Sequence, residues 1–234
     1  MFKKLTALGA WVQVGLCFQG GTASLRWWRC SHLNSVLGNQ NQYVIMNKEH
    51  SEAFILEIDK VLAPSGFKFI KSRGVWERKV GKVDVEWFHL NFGLTVLNPS
   101  FGVKYKDIEK VLPREMRCIG GVSRMLSSIT GNSYTDAISP IAFAYMVKQL
   151  LPIELEKLRD RKRVIESLKS EDVKVWPVFS YSTRIRLLPL LLSKTSPNEA
   201  IKYMAYFESE LRTRDQLIPN YDAFKGYLLK HLKV

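Results

Sequence analysis

Acidic residues are missing from the first 48 positions of this 234-residue chain, although 22 occur in the remainder. Five basic residues lie in that acid-free segment, so the rest of the chain carries +8 of the total net charge of +13. A basic body of this kind favours acidic partners: nucleic acid, an anionic membrane surface or an acidic protein.

Long apolar runs are missing too, because no stretch reaches the roughly 18 uninterrupted apolar residues that span a membrane. The 46% hydrophobic and 24% charged composition is typical of a folded globular domain. The three cysteines, Cys17, Cys30 and Cys118, form no C-x-x-C pair and no cluster with zinc-ligand spacing. We therefore expect a reducing, cytoplasmic compartment, with no metal and no other cofactor.

Residues 1–45 have three open interpretations. Lys3 and Lys4, a short apolar stretch and small residues up to Ala23 outline a secretory signal peptide. Alternatively, translation starts at Met46, since an amphipathic helix begins almost at once after it. The third interpretation is a peripheral extension. Cleavage after Ala23 and export would allow Cys30 to pair with Cys118. Residues 46–234 are predicted to form a single domain, which is cytoplasmic unless the chain is exported.

Residues 51–62 have helical spacing, and Pro64-Ser65-Gly66 is expected to end this helix. The period then changes to two. Strands are predicted at 67–71, 75–80 and 83–97, with Asn98-Pro99-Ser100 closing an antiparallel meander.

The third of these strands has the clearest alternation. One side carries apolar residues: Phe88, Leu90, Phe92, Leu94 and Val96. The other side is polar or small: Trp87, His89, Asn91, Gly93 and Thr95. A sheet with one apolar face needs helices over that face, so the polar face stays open. We predict a binding surface there, formed by Trp87, His89, Asn91 and Thr95.

Residues 100–137 are harder to interpret: YKDIEKVL is a candidate for a turn of helix, and RCIGGVSRMLSSITG for a further strand or two around Gly120-Gly121. Helical spacing predominates after Ser139, a predicted N-cap. Pro152 is expected to interrupt the first of these helices and to begin the next. Ser196 and Glu199 have the spacing of a capping box, and a last helix is predicted over 221–232. The whole chain thus indicates an α+β fold: an N-terminal helix, a strand meander, and a mainly helical C-terminal half packed on one sheet face.

Motifs of hydrolases, zinc proteases, P-loops and dinucleotide-binding folds do not occur. Of the four histidines, His89 lies in a well-predicted element, where a half-exposed strand residue is favoured over a catalytic one. Glu77 and Lys79 have the E-x-K spacing of PD-(D/E)xK nucleases, in which the acid holds magnesium and the lysine steadies the attacking water. That core also needs an earlier aspartate, and no acid lies between Phe67 and Trp76.

Short basic runs occur at 159–163, 184–186 and 212–214. A solvated helix face is the favoured interpretation of each run. A nucleic-acid surface would need stacking aromatic residues beside them, for which Trp176, Tyr181 and Tyr203 are candidates.

The segment LAPSGFKFIKSRGVWERKV, followed by FHLNFGLTV, resembles an uncharacterised bacterial family, domain of unknown function number forty-three-oh-four. Gly66-Phe67-Lys68 and Asn91-Phe92-Gly93-Leu94 carry the likeness, which covers about residues 46–96. The resemblance implies a small cytoplasmic bacterial α+β protein without established catalytic residues. Some proteins of this general sort act as immunity proteins against toxins, although many of those are acidic and this chain is basic.

These observations favour a non-enzymatic protein that binds another protein through the polar sheet face, with toxin neutralisation as one version. The alternative is a nucleic-acid-binding protein that uses its basic surface. A magnesium-dependent nuclease ranks third.

Overall fold

The computed structural model describes residues 48–92, 96–114, 116, 121–135, 137–213 and 221–233. The predictions for residues 1–45, including the signal peptide and the Cys30–Cys118 pair, lie outside the described residues. In the described part, one helix, an antiparallel sheet and a helical C-terminal half follow each other in that order, which confirms the α+β class.

Helix α1 spans Lys48–Leu62 and buries Phe54, Ile58 and Leu62 at helical spacing. A short 3-10 turn, Ala63–Ser65, follows it. Gly66 then adopts φ +85°, and its amide donates to the Ala63 carbonyl. Because L side chains rarely adopt this backbone conformation, the glycine ends the helix where the sequence predicts.

Six strands form one antiparallel sheet within the described residues. They are β1 (Lys68–Ile70), β2 (Val75–Val80), β3 (Asp84–Phe92), β4 (Val96–Tyr105), β5 (Gly121–Met125) and β6 (Tyr134–Thr135). The order is β1-β2-β3-β4-β5, and β6 pairs with the beginning of β4. Two one-turn helices, α2 (Lys106–Glu109) and α3 (Ser127–Thr130), follow β4 and β5. The described residues between 100 and 137 therefore complete the sheet, and α2 and β5 confirm the expected turn of helix and further strand.

The predicted end of the meander at Asn98-Pro99-Ser100 is wrong, since these residues lie inside β4. Proline is tolerated there because β6 pairs with residues 96 and 97, whereas β5 pairs from Ser100 onward. The Pro99 carbonyl accepts from the amide of Leu126, which directly follows β5, so the Pro99 nitrogen points to the same side. The Leu126 carbonyl accepts from the Ile129 and Thr130 amides, so the proline leaves no strand acceptor without a donor there.

The predicted third strand is in fact two strands. Phe88 and Leu90 are buried under the helices, and Phe92 packs against the same core, as predicted. Val96 begins β4 instead and is 38% exposed, on the opposite side from Leu97. Leu94 lies outside the described residues.

Helix α4 (Pro140–Arg159) covers the sheet together with α1, with which it is in extensive contact. Its buried stripe includes Phe143, Val147, Leu151 and Leu155. The predicted break at Pro152 is wrong: the proline lies exposed inside α4. The buried stripe continues before and after Pro152. Burial of these apolar side chains therefore stabilises a continuous α4 by more than the loss of one backbone hydrogen bond on its solvent side destabilises it.

The remaining helices are α5 (Arg161–Lys169), α6 (Tyr181–Thr195), α7 (Pro197–Thr213) and α8 (Tyr221–Leu232). Helix α6 is buried over most of its length and contacts α5, α7 and α8. Ser139 is the N-cap of α4 and Pro140 follows it, as predicted, although the Ser139 side chain makes no capping hydrogen bond. The Glu199 carboxylate of the predicted capping box pairs with Lys169 at 2.7 Å. No helix of the described residues is long and apolar enough to cross a membrane.

Candidate functional site

The polar side of the sheet is the candidate site, and we call it the open face. Directly paired residues of an antiparallel sheet point to the same side, so the strand register identifies its members. On β1 to β5 the polar and aromatic ones are Lys68, Glu77, Lys79, Trp87, His89, Asn91, Asn98, Ser100, Lys104 and Ser123. None of these ten side chains is buried, whereas Trp76 and Phe88 on the other side are fully buried.

Trp87 lies near the centre of the open face, between Glu77 on β2 and Gly102 on β4. A Cβ atom at Gly102 would lie 2.8 Å from the Trp87 ring and 2.1 Å from the Val122 carbonyl oxygen. The missing side chain at Gly102 therefore lets the indole lie across β4. A large, half-exposed aromatic ring is thus held in a defined position at the middle of the face.

Glu77 is the anionic centre of the face. Arg73 donates to both of its carboxylate oxygens, at 2.9 and 3.0 Å, and Lys104 Nζ donates to Oε1 at 3.0 Å. Partial burial opposes ionisation of Glu77, but these hydrogen bonds outweigh it and hold the pKa below its ordinary value. Arg73 and Lys104 therefore balance the negative charge of the Glu77 carboxylate, and the carboxylate holds both of these cationic side chains over the sheet.

The E-x-K residues Glu77 and Lys79 share the open face, as their spacing predicts. Arg73 and Lys104 occupy the Glu77 carboxylate, however, and the described residues contain no group of three or more His, Cys, Asp or Glu side chains with metal-ligand geometry. Among the described residues, Glu77 is therefore not joined by the further carboxylates that such a nuclease uses to hold magnesium.

His89 lies directly opposite Val75 on one side and Ser100 on the other. Burial lowers its pKa, so the imidazole is neutral at neutral pH. Asn91 is exposed and faces Asn98. The structure thus brings Trp87, His89 and Asn91 together on one face, whereas Thr95 lies outside the described residues.

Lysine residues surround this centre. Lys68 and Lys79 point from the same face, and neither forms an ion pair within the described residues. Glu77 is the one acidic side chain that the described strands place on the open face. The face is therefore positively charged, with Lys68, Lys79 and Lys104 against a single carboxylate.

The open face ends at β5 in a small cavity of about 250 Å³. Ser123 and Met125 of β5 line it, together with Lys174 and the exposed Phe179. The Ser123 amide donates to the Pro177 carbonyl at 2.9 Å, which joins this wall to the sheet edge. The face thus continues into an apolar and basic wall at this end.

Sequence reasoning missed Arg73, Gly102 and Lys104 as members of the site. The alternation of Phe101, Val103 and Tyr105 with Gly102 and Lys104 is a strand signal. Pro99 obscures it, because local rules predict that a strand ends at a proline. Arg73 lies in the β1–β2 turn, where no periodicity identifies a partner.

The run at 159–163 is not simply a solvated helix face. Arg159 lies 3.2 Å from the buried Glu86 on β3. Arg161 pairs with Asp84 at 2.7 Å and with Asp107 at 2.8 Å. These two arginines join the helical half to the sheet, so they are held in the fold.

The prediction of a solvated helix face is also wrong for Arg184 in the run 184–186, because its side chain is buried. Its guanidinium donates to the carbonyls of Leu168 and Ser170, at the end of α5, and lies 4.3 Å from the centre of the Trp176 ring. Tyr181 packs against the same group, and Tyr203 packs against Phe207. The proposed stacking aromatics therefore belong to the packing between helices.

Comparison with known protein families, with curated proteins and with solved structures finds no match to this chain. The resemblance to the uncharacterised bacterial family stays a prediction.

Proposed function

We propose that this protein binds another protein through the open face, and that the bound surface is acidic. The observation that carries the proposal is Trp87, held across Gly102 at the centre of a face on which lysines outnumber the single carboxylate. The function is recognition rather than catalysis.

Trp87 supports a protein partner because interface energy concentrates in a few aromatic anchors surrounded by polar residues. Its indole is already oriented, so little side-chain entropy is lost on binding. His89 and Asn91 lie beside it and offer neutral hydrogen-bonding groups. This combination fits a protein surface better than a small molecule.

Lys68, Lys79 and Lys104 support an acidic partner. Charges at the rim of an interface mainly raise the association rate and select partners, and they contribute little affinity of their own. We therefore expect binding to be faster at low salt, with Trp87 determining how long the complex lasts.

The test is capture of partners in the native host with the full chain and with the double variant Trp87→Ala/His89→Ala. We expect the double variant to lose at least about tenfold in affinity for the captured protein. Tyr145→Ala is the matched control, because Tyr145 is an exposed aromatic residue on α4, away from the open face. Unchanged capture by the double variant would overturn the site.

Single-stranded nucleic acid is the second candidate. Aromatic side chains on an exposed antiparallel sheet, with lysines around them, are the arrangement on which bases stack. Trp87 and His89 supply the rings, and Lys68, Lys79 and Lys104 supply the charge. A salt titration with DNA and RNA oligonucleotides discriminates: absence of affinity at about 50 mM salt excludes this candidate.

A further inference from the structure

A groove of about 560 Å³ lies between α1 and the β1–β2 end of the sheet. Its walls are mostly apolar: Ile55, Leu56, Phe69, Trp76, Leu90 and Phe92. The volume is that of small-molecule sites, which are apolar clefts with a few polar groups. The strand residues belong to the helix-covered side of the sheet, so an inference about this groove does not rest on the proposed function.

Asp59 is the polar group that distinguishes the groove. Its Oδ1 accepts a hydrogen bond of 3.0 Å from the indole nitrogen of the fully buried Trp76. Four other carboxylates on the sheet or beside it pair with arginine or lysine: Glu77, Asp84, Glu86 and Asp107. Asp59 forms no ion pair within the described residues, although this chain carries an excess of cations.

The groove therefore holds one carboxylate, Asp59, that no cation of the described residues neutralises. Glu52, which has a partner of its own, also lines the α1 side, and Lys71 lines the side of the β1–β2 turn. Leu56 is 56% exposed at the rim, so the apolar wall is open to solvent. An apolar cleft with a fixed carboxylate complements a molecule with an apolar body and a positive charge.

We propose that this groove binds a small amphipathic cation, with an aromatic or aliphatic body between α1 and Phe69 and an ammonium group on the Asp59 carboxylate. The indole of Trp76 keeps Asp59 in place by holding one of its oxygens. The second oxygen is the acceptor for the ammonium group. An anionic ligand of the same shape is rejected by the same carboxylate.

The probe is 2-(1-naphthyl)ethylammonium, titrated into the full chain and followed by ligand-observed NMR. Shape-matched comparisons are the neutral 2-(1-naphthyl)ethanol and the anionic 1-naphthylacetate. We expect saturable binding of the ammonium with a Kd of about 1 mM or tighter, and at least about tenfold weaker binding of the other two. Equal binding of all three, or no saturation by the ammonium, overturns the proposal.

Three variants locate the site. Asp59→Asn removes the charge but keeps an oxygen for the Trp76 indole, and should weaken ammonium binding about tenfold. Lys71→Ala removes a like charge and should tighten it by about twofold or more. Glu57→Gln is the control, because Glu57 pairs with Lys60 on α1 and does not line the groove. An unchanged affinity for Asp59→Asn, with its thermal unfolding unchanged, overturns the assignment.

Discussion

The two faces of the sheet carry similar residues that differ in their exposure to solvent. On the covered face, Trp76 and Glu86 are fully buried. On the open face, Trp87 and Glu77 keep part of their exposure, although they lie on the same two strands. The residue types are the same, so the cover supplied by α1 and α4 determines what each residue contributes.

The two glutamates, Glu86 and Glu77, each lie between two cationic side chains, but on opposite faces of the sheet. Glu86 pairs with Arg78, and Arg159 of α4 lies 3.2 Å from its other oxygen. Glu77 pairs with Arg73 and Lys104, both on the solvent side. Charged pairs on the covered side therefore join layers of the fold, whereas those on the open side arrange a surface.

The tryptophans provide the largest expected difference. We expect Trp76→Ala to lower the free energy of unfolding by about 4 kcal/mol, because it leaves a cavity among buried rings. Trp87→Ala should cost less, about 2 kcal/mol, since its ring is half-buried and packs on one side only, across Gly102. Urea unfolding followed by circular dichroism measures both. Equal losses would mean that something covers the open face.

The second largest difference in the free energy of unfolding is expected between variants of Glu86 and Glu77. We expect Glu86→Gln to lose about 3 kcal/mol, because it removes the anion from a buried group and leaves two arginines without it. Glu77→Gln should lose about 1 kcal/mol or less, because solvent screens its partners. The same unfolding experiment compares them. A larger loss for Glu77→Gln would reverse the assignment of structural and surface roles.

The stability contribution of Glu77 should also depend on pH. The pKa of Glu77 is lowered in the folded protein, so its contribution is present above its ordinary value of 4.5 and is lost as pH falls below it. The stability difference between wild type and Glu77→Gln should therefore shrink from about pH 6 to about pH 3. A difference that stays constant over this range would contradict the role given to Arg73 and Lys104.

The smallest expected effect belongs to His89. Burial lowers its pKa below the ordinary 6.5, so folding favours the neutral ring. Its contribution is present above about pH 6.5 and is lost as pH falls, so His89→Gln should gain stability relative to wild type as the pH is lowered to about 5. Thermal unfolding at several pH values checks this. A relative loss on acidification would contradict the half-buried position.

Local patterns predicted much of this architecture. The alternation in β3 correctly separated Trp87, His89 and Asn91 from Phe88 and Leu90. Helical spacing and Gly66 correctly located α1 and its end. These predictions succeeded because a period of two or 3.6 residues follows from the backbone geometry of one element.

The errors arose where a distant partner outweighs a local signal. Pro99 ends a strand by local rules, yet a gap between β5 and β6 accommodates it. Pro152 breaks a helix by the same rules, yet burial on both sides keeps α4 continuous. Arg159 and Arg184 look like surface cations, because sequence does not identify Glu86 or the end of α5 as their partners.

Composition and periodicity are local properties, and they were enough to predict the α+β class, the positive charge of the chain and the two sides of β3. Tertiary contacts were needed to place Lys104 and Arg73 on Glu77, to lay Trp87 across Gly102 and to put Asp59 in an apolar groove where no cation of the described residues pairs with it. Each of these arrangements joins residues of different elements. Their energies come from burial and charge at close range, which chain order alone does not specify.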